Sequence, residues 1–145
     1  MELGNMPEWS KKVARDNNVG ELKFLICKKV DASDLSLFLR LPNNIVEEHI
    51  IHFNLTEKII IWHTQGGLNV SVYVQGGWKI ELFLTLSDDR KDIGLQGNEM
   101  TIFQQFSQLK DGDNVAIWMF RRPDDKLCFF IWKAVDFTKF KCSKF

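Results

Sequence analysis

The sequence predicts an all-β-dominated domain of about seven strands with two short helices, and three observations carry that expectation. Apolar and polar residues alternate with a period of two from residue 21 onward, most cleanly at Leu68, Val70, Val72 and Val74. Turn-prone segments such as Gln75-Gly76-Gly77 separate these runs at regular intervals. The one longer helical pattern begins at Asn98, with Met100, Phe103 and Phe106 recurring every third position. Short strands joined by polar turns in this way form an antiparallel barrel or sandwich.

Taken in order, residues 1–19 read as a flexible N-terminal tail, polar apart from Met6 and Trp9, with at most a marginal helix over 9–14. Residues 22–30 predict a strand, Asp31-Ala32-Ser33-Asp34 a turn, and 37–41 the return strand. Pro42 suits a first helical position, and Ile45, Val46 and His49 continue at helical spacing, so a short helix is expected over 43–49. The nearly continuous apolar run over 58–64 predicts a strand buried on both faces. Strands over 68–74 and 78–86 follow, then the polar segment 87–92 and a short strand at 93–95. Asn98 is the expected N-cap of the helix, and Glu99 lies where the helix dipole favours an acid. Leu109 closes its apolar stripe before the turn Lys110-Asp111-Gly112-Asp113. A last hairpin joins 114–120 to 126–134. Residues 20–136 therefore make one domain, and 137–145 form a basic and aromatic C-terminal tail.

Composition agrees. The chain has 145 residues, of which 45% are hydrophobic, enough to bury a real core in one domain. Its apolar stretches are far too short for a membrane span, and the first twenty residues lack the apolar centre of a secretory signal. Cys27, Cys128 and Cys142 show no pairing pattern, so a reduced compartment is expected. Lys+Arg and Asp+Glu both number 19, and residues 20–135 hold 13 basic against 15 acidic groups. Any basic surface must then be local.

No phosphate-cradling glycine loop, nucleophile elbow or dinucleotide fingerprint occurs in the chain. His49 and His52 have no third ligand nearby in sequence, and His63 reads as a core histidine. Glu47-Glu48 and Asp124-Asp125 are adjacent surface acids rather than a facing pair. No enzyme, metal or cofactor is expected.

One ordered set of motifs is more specific than its parts. A strand and turn, Lys28-Lys29-Val30-Asp31-Ala32-Ser33-Asp34, lead to Leu39-Arg40-Leu41-Pro42. Later come Leu109-Lys110-Asp111-Gly112-Asp113, then Trp118-Met119-Phe120-Arg121 and Lys126-Leu127-Cys128-Phe129. This order resembles the plant-specific B-three DNA-binding domain of transcription factors, over roughly residues 22–135, and is similar to its divergent members. The pattern departs from the family at Glu99-Met100, where a Gly-Trp is usual.

The resemblance implies an open seven-stranded β-barrel, the DNA-binding pseudobarrel, whose two arms clamp the major groove of double-stranded DNA. It implies a nuclear transcription regulator, and monomer is the default state. The first arm would be the turn carrying Lys28, Lys29, Asp31, Ser33 and Asp34, with Arg40. The second would be 87–92, with Ser87, Arg90 and Lys91. Arg90 suits bidentate reading of guanine, and Lys28, Lys29, Lys79 and Lys91 suit phosphates. Trp78 is expected to pack rather than read bases. The first arm nets +1 and the second −1, so binding would be weak and salt-sensitive. Without the resemblance, Lys28-Lys29 reads as a solvated sheet edge and 88–92 as a self-neutralising turn. A protein-interaction module that keeps the barrel but has lost DNA contact is the alternative.

Overall fold

Alternating apolar residues build the strands β1 (Leu22–Lys29), β2 (Leu39–Leu41), β3 (Leu68–Val74), β4 (Trp78–Leu86), β5 (Ile93–Gln96), β6 (Asn114–Arg121), β7 (Leu127–Lys133) and β8 (Cys142–Ser143). The helices are α1 (Glu8–Asp16), α2 (Ala32–Ser36), α3 (Leu55–His63) and α4 (Met100–Ser107). They come from a computed structural model that describes residues 6–41, 54–63, 66–88, 92–134 and 142–143. The helix expected over 43–49 lies outside the described residues.

The strands form one sheet in the order β2-β5-β4-β3-β7-β6-β1-β8. It curls into a barrel-like half-barrel, which bears out the sheet-rich class expected from periodicity. Neighbours pair antiparallel except β3 with β7 and β1 with β8, which are parallel. None of the described helices is long and apolar enough to cross a membrane.

Both faces of the central strands are buried, and they carry different residues. In β6 and β7 the odd positions Val115, Ile117, Met119, Leu127, Phe129 and Ile131 join an inner, mostly aliphatic cluster. The even positions Ala116, Trp118, Phe120, Cys128, Phe130 and Trp132 join an outer, aromatic one. The antiparallel register sets Trp118 opposite Phe130 and Ile117 opposite Ile131, so each face is built of matched cross-strand pairs.

Helix α1 covers the outer cluster, which corrects the reading of 6–19 as a loose tail. Trp9 lies edge-on to Phe130 and Trp132 at centroid distances of 5.8 and 6.0 Å. Met6 is buried beside them. Propensity made this helix look marginal; the aromatic face it covers supplies what an isolated short helix lacks.

A second correction falls on 58–64, expected as a strand. Residues 55–63 are helical, although Ile59-Ile60-Ile61 favours strands by propensity. Two interactions decide it. The Asn54 side chain accepts from the Glu57 N–H at 2.8 Å, and the Glu57 carboxylate accepts from the Asn54 N–H at 3.0 Å, a reciprocal cap. Arg121 of β6 then grips Glu57 with two bonds of 2.9 and 2.6 Å. Smaller adjustments follow the same logic: Asp31-Ala32-Ser33-Asp34 winds into α2, and the N-cap of α4 is Glu99 rather than Asn98. Met100 is buried at the start of this helix.

The cysteines also depart from expectation. Cys27 is disulfide-bonded, and the β1–β8 register places it opposite Cys142. Cys128 is free, and burial pushes its thiol up to about 11. Native protein at pH 8 is therefore expected to leave Cys128 unmodified by iodoacetamide and to expose it on unfolding, read by intact-mass spectrometry; prompt native alkylation would contradict this packing.

Strand β2 is held against β5 at Gly94, opposite Arg40. A Cβ at Gly94 would collide with the Leu39 carbonyl oxygen and meet the Phe38 ring at 2.9 Å. Gly94→Ala should cost about 1–3 kcal/mol in urea unfolding, because the obstacle is backbone that cannot yield without losing β2.

Candidate nucleic-acid interface

The first arm is shaped by an irregularity in β1. Its register against β6 shifts between Phe24 and Ile26, a bulge that inverts the alternation. Phe24 packs on the outer cluster, Leu25 and Ile26 both on the inner one, and Cys27 is again outer. Lys28 consequently points inward and is fully buried, whereas its neighbour Lys29 is exposed.

Inside, the Lys28 ammonium meets two partners. It lies 3.3 Å from Asp34 Oδ2 and donates to the Arg40 carbonyl oxygen at 2.9 Å. Asp34 is buried as well, and its carboxylate is well supplied: it accepts from the Asp31 N–H at 3.0 Å and the Arg40 N–H at 3.3 Å. The Asp34 N–H donates to Asp31 at 2.8 Å, completing the capping box that starts α2. Arg40 stands at the rim, 3.7 Å from Asp34 and 3.8 Å from Asp31. The bond from the Asp34 N–H holds the Asp31 carboxyl below the usual range. Burial pushes Lys28 below the ordinary lysine range, against the opposing pull of Asp34.

This geometry corrects the expectation that Lys28 and Asp34 are contact residues of the first arm: both are buried, and each spends its charge on the other inside the protein. Solvent instead meets Lys29, Ser33 and part of Arg40.

The turn Lys110–Asp113 closes on the same place. The Val30 N–H donates to the Asp113 carbonyl at 2.9 Å, and the Gly112 N–H donates to the Val30 carbonyl at 2.8 Å. Gly112 has φ 93°, the left-handed region that glycine reaches most cheaply. Two motifs about eighty residues apart in sequence thus meet at the end of β1, and the second braces the first.

The second arm begins with a clasp: the Ser87 N–H donates to the Asp92 carbonyl at 2.8 Å, and the Asp92 N–H to Ser87 Oγ at 3.1 Å. Arg90 and Lys91 lie outside the described residues. The two arms flank β2, since α2 runs into it near Leu39 and the second arm returns at Ile93, opposite Leu41. Lys79 is exposed, at the far end of β4 from Ser87, about 25 Å away at 3.3 Å per residue. The structure does not bring it to the second arm.

Two further surface residues escaped sequence reasoning. Trp78, expected to pack, is 59% exposed and leans on Phe106 at a centroid distance of 5.1 Å. Leu37, expected inside a strand, is 68% exposed. Period-two alternation with Leu35 and Leu39 hides it, since all three are leucine.

No family model matches the sequence, and no curated protein matches it either.

Replacing Lys28 should expose how much depends on it. Lys28→Met leaves the buried Asp34 with only the rim guanidinium of Arg40, 3.7 Å away, and is expected to cost on the order of 3 kcal/mol in urea unfolding. The pH dependence has a definite sign. A lowered folded pKa means that the unfolded chain holds the proton more tightly, so this group's contribution to stability rises as pH climbs from the lowered value towards the ordinary one. That alkaline rise should be present in the wild type and missing in Lys28→Met; identical profiles would overturn the burial of the ammonium.

Proposed function

We propose that the chain is a sequence-specific double-stranded DNA-binding module of the plant B-three type, a pseudobarrel acting as a monomer in nuclear transcription regulation. The observation that carries this reading is the placement of the two arms on either side of β2. Along β2 their bases, at Leu39 and Leu41, are two residue rises apart, about 7 Å, which lets both arms enter one major groove about 12 Å wide. The bonds of Val30, at the end of the first lysine motif, to the Lys110–Asp113 turn support it as well.

In this reading Lys29, Ser33 and Ser87 hold phosphates, Arg40 lends charge at the rim, and Arg90 reads guanine. Lys28 and Asp34 serve by keeping α2 in place. Because few phosphates are neutralised, affinity falls steeply with salt.

A fluorescence-anisotropy titration of randomised duplexes, followed by a selected one, tests the proposal. Wild type should bind saturably at low salt. Lys29→Ala should weaken all duplexes alike and reduce the salt slope by about one. Arg90→Ala should lose roughly tenfold or more of its sequence preference. Absence of saturable binding overturns the reading.

One observation favours a protein-interaction module instead. Trp78, Phe106 and Ile102 are all exposed, and the first two are in ring contact; exposed apolar patches mark protein-binding surfaces. A stoichiometric protein partner lost on Trp78→Ala, with no DNA binding, would favour it.

A further inference from the structure

Leu37 is the most exposed large apolar side chain among the described residues, and its surroundings are rigid. The residues two before and two after it, Leu35 and Leu39, are each only 1% exposed. Its own N–H donates to the Ser33 carbonyl at 3.0 Å, and the next N–H, of Phe38, donates to the same oxygen at 3.2 Å. Leu37 is therefore a fixed apolar knob rather than a side chain on a loose loop.

The face it shares is equally particular. On α2 the exposed residues are Ala32, Ser33 and Ser36, all small, while the acid of that helix, Asp34, is turned inward. Ser36 Oγ donates back to the Ala32 carbonyl at 2.9 Å, so even this hydroxyl is partly withdrawn. Lys29 stands exposed at the base of the arm. The tip thus combines an apolar knob with small neighbours, the exposed Asp31 carboxylate set against Arg40 at the rim, and a cation behind it.

Resting on the DNA-binding reading above, we infer that Leu37 is a specificity residue that packs on the 5-methyl group of a thymine in the major groove. Thymine is the base that offers an apolar group there, and it is otherwise read by a single acceptor oxygen. A leucine has no hydrogen bond to give, so the discrimination it supplies is contact with that methyl. Lys29 supplies the sequence-independent hold.

The test deletes the methyl from the DNA. Wild-type protein selects its preferred duplex from a random pool, and each thymidine of that duplex is replaced in turn by deoxyuridine. At one position the replacement should weaken wild type roughly fourfold, the equivalent of about 0.8 kcal/mol for one buried carbon. Leu37→Ala should bind both duplexes alike at that position, with unchanged salt dependence and thermal midpoint. Lys29→Ala should keep the preference while binding everything less tightly. Saturable binding with no deoxyuridine-sensitive position, or a preference that survives in Leu37→Ala, overturns the inference and leaves the DNA-binding reading standing. Failure of wild type to bind any duplex overturns both.

Discussion

The contact between Lys28 and Asp34 joins parts of the molecule that the sheet itself keeps apart. In strand order β1 lies beside one end and β2 is the other end. Lys28 reaches from β1 to the backbone of β2, and to the helix that leads into it. Taking both charges out of water is costly, and their attraction offsets it only where the remaining bonding capacity is satisfied. Asp34 meets that condition with two backbone N–H donors besides the ammonium, and Lys28 with a carbonyl. The result fixes α2 at the mouth of the curled sheet. The surface groups of the first arm, Lys29, Ser33, Leu37 and Arg40, lie on the segments that this anchor joins.

The sheet has a second, independent source of rigidity. Its inner face is packed with aliphatic residues, while Trp118, Trp132, Phe120 and Phe130 crowd the outer face under α1. Trp118 and Trp132 stack at 6.0 Å, and Phe120 and Phe130 at 4.5 Å. Aromatic pairs of this kind add to the area they bury. Most of the buried aromatic residues therefore lie outside the curl of the sheet, under α1, while Phe103 and Phe129 join the aliphatic residues inside it.

Neutral overall charge conceals local order. Arg121 is committed to Glu57, Arg122 to Asp124 at 2.8 Å, and Lys126 to Glu81 at 2.7 Å. For Glu81, burial opposes ionisation, but the bonds from Lys126 and Ser71 outweigh it and its pKa falls. These pairs neutralise the β6–β7 hairpin end internally. On the DNA-binding reading proposed above, few cations then remain to meet phosphates, and binding rests on local contacts rather than on bulk charge.

Much of this architecture was legible because strand amphipathicity is local: β3, β4, β6 and β7 fall where a period of two places them, and α4 where a period near three does. The capping box of α2 is also a matter of neighbours, yet 31–34 reads as a turn in the sequence and winds into a helix in the structure. What failed to show was whatever distant residues decided. Residues 55–63 carry a strand-like composition but are helical, and Glu57 finds Arg121 across 64 positions. Helix α1 forms on an aromatic surface that later strands assemble. Two adjacent lysines are chemically identical in the sequence; the bulge in β1, meaningful only against β6, turns Lys28 into the core and leaves Lys29 in water. By itself the sequence determined the class of fold and the run of its strands, because those depend on which face each residue prefers. Which charges are buried, and so which remain to meet a partner, was decided only when the strands came together, because register and burial are properties of pairs.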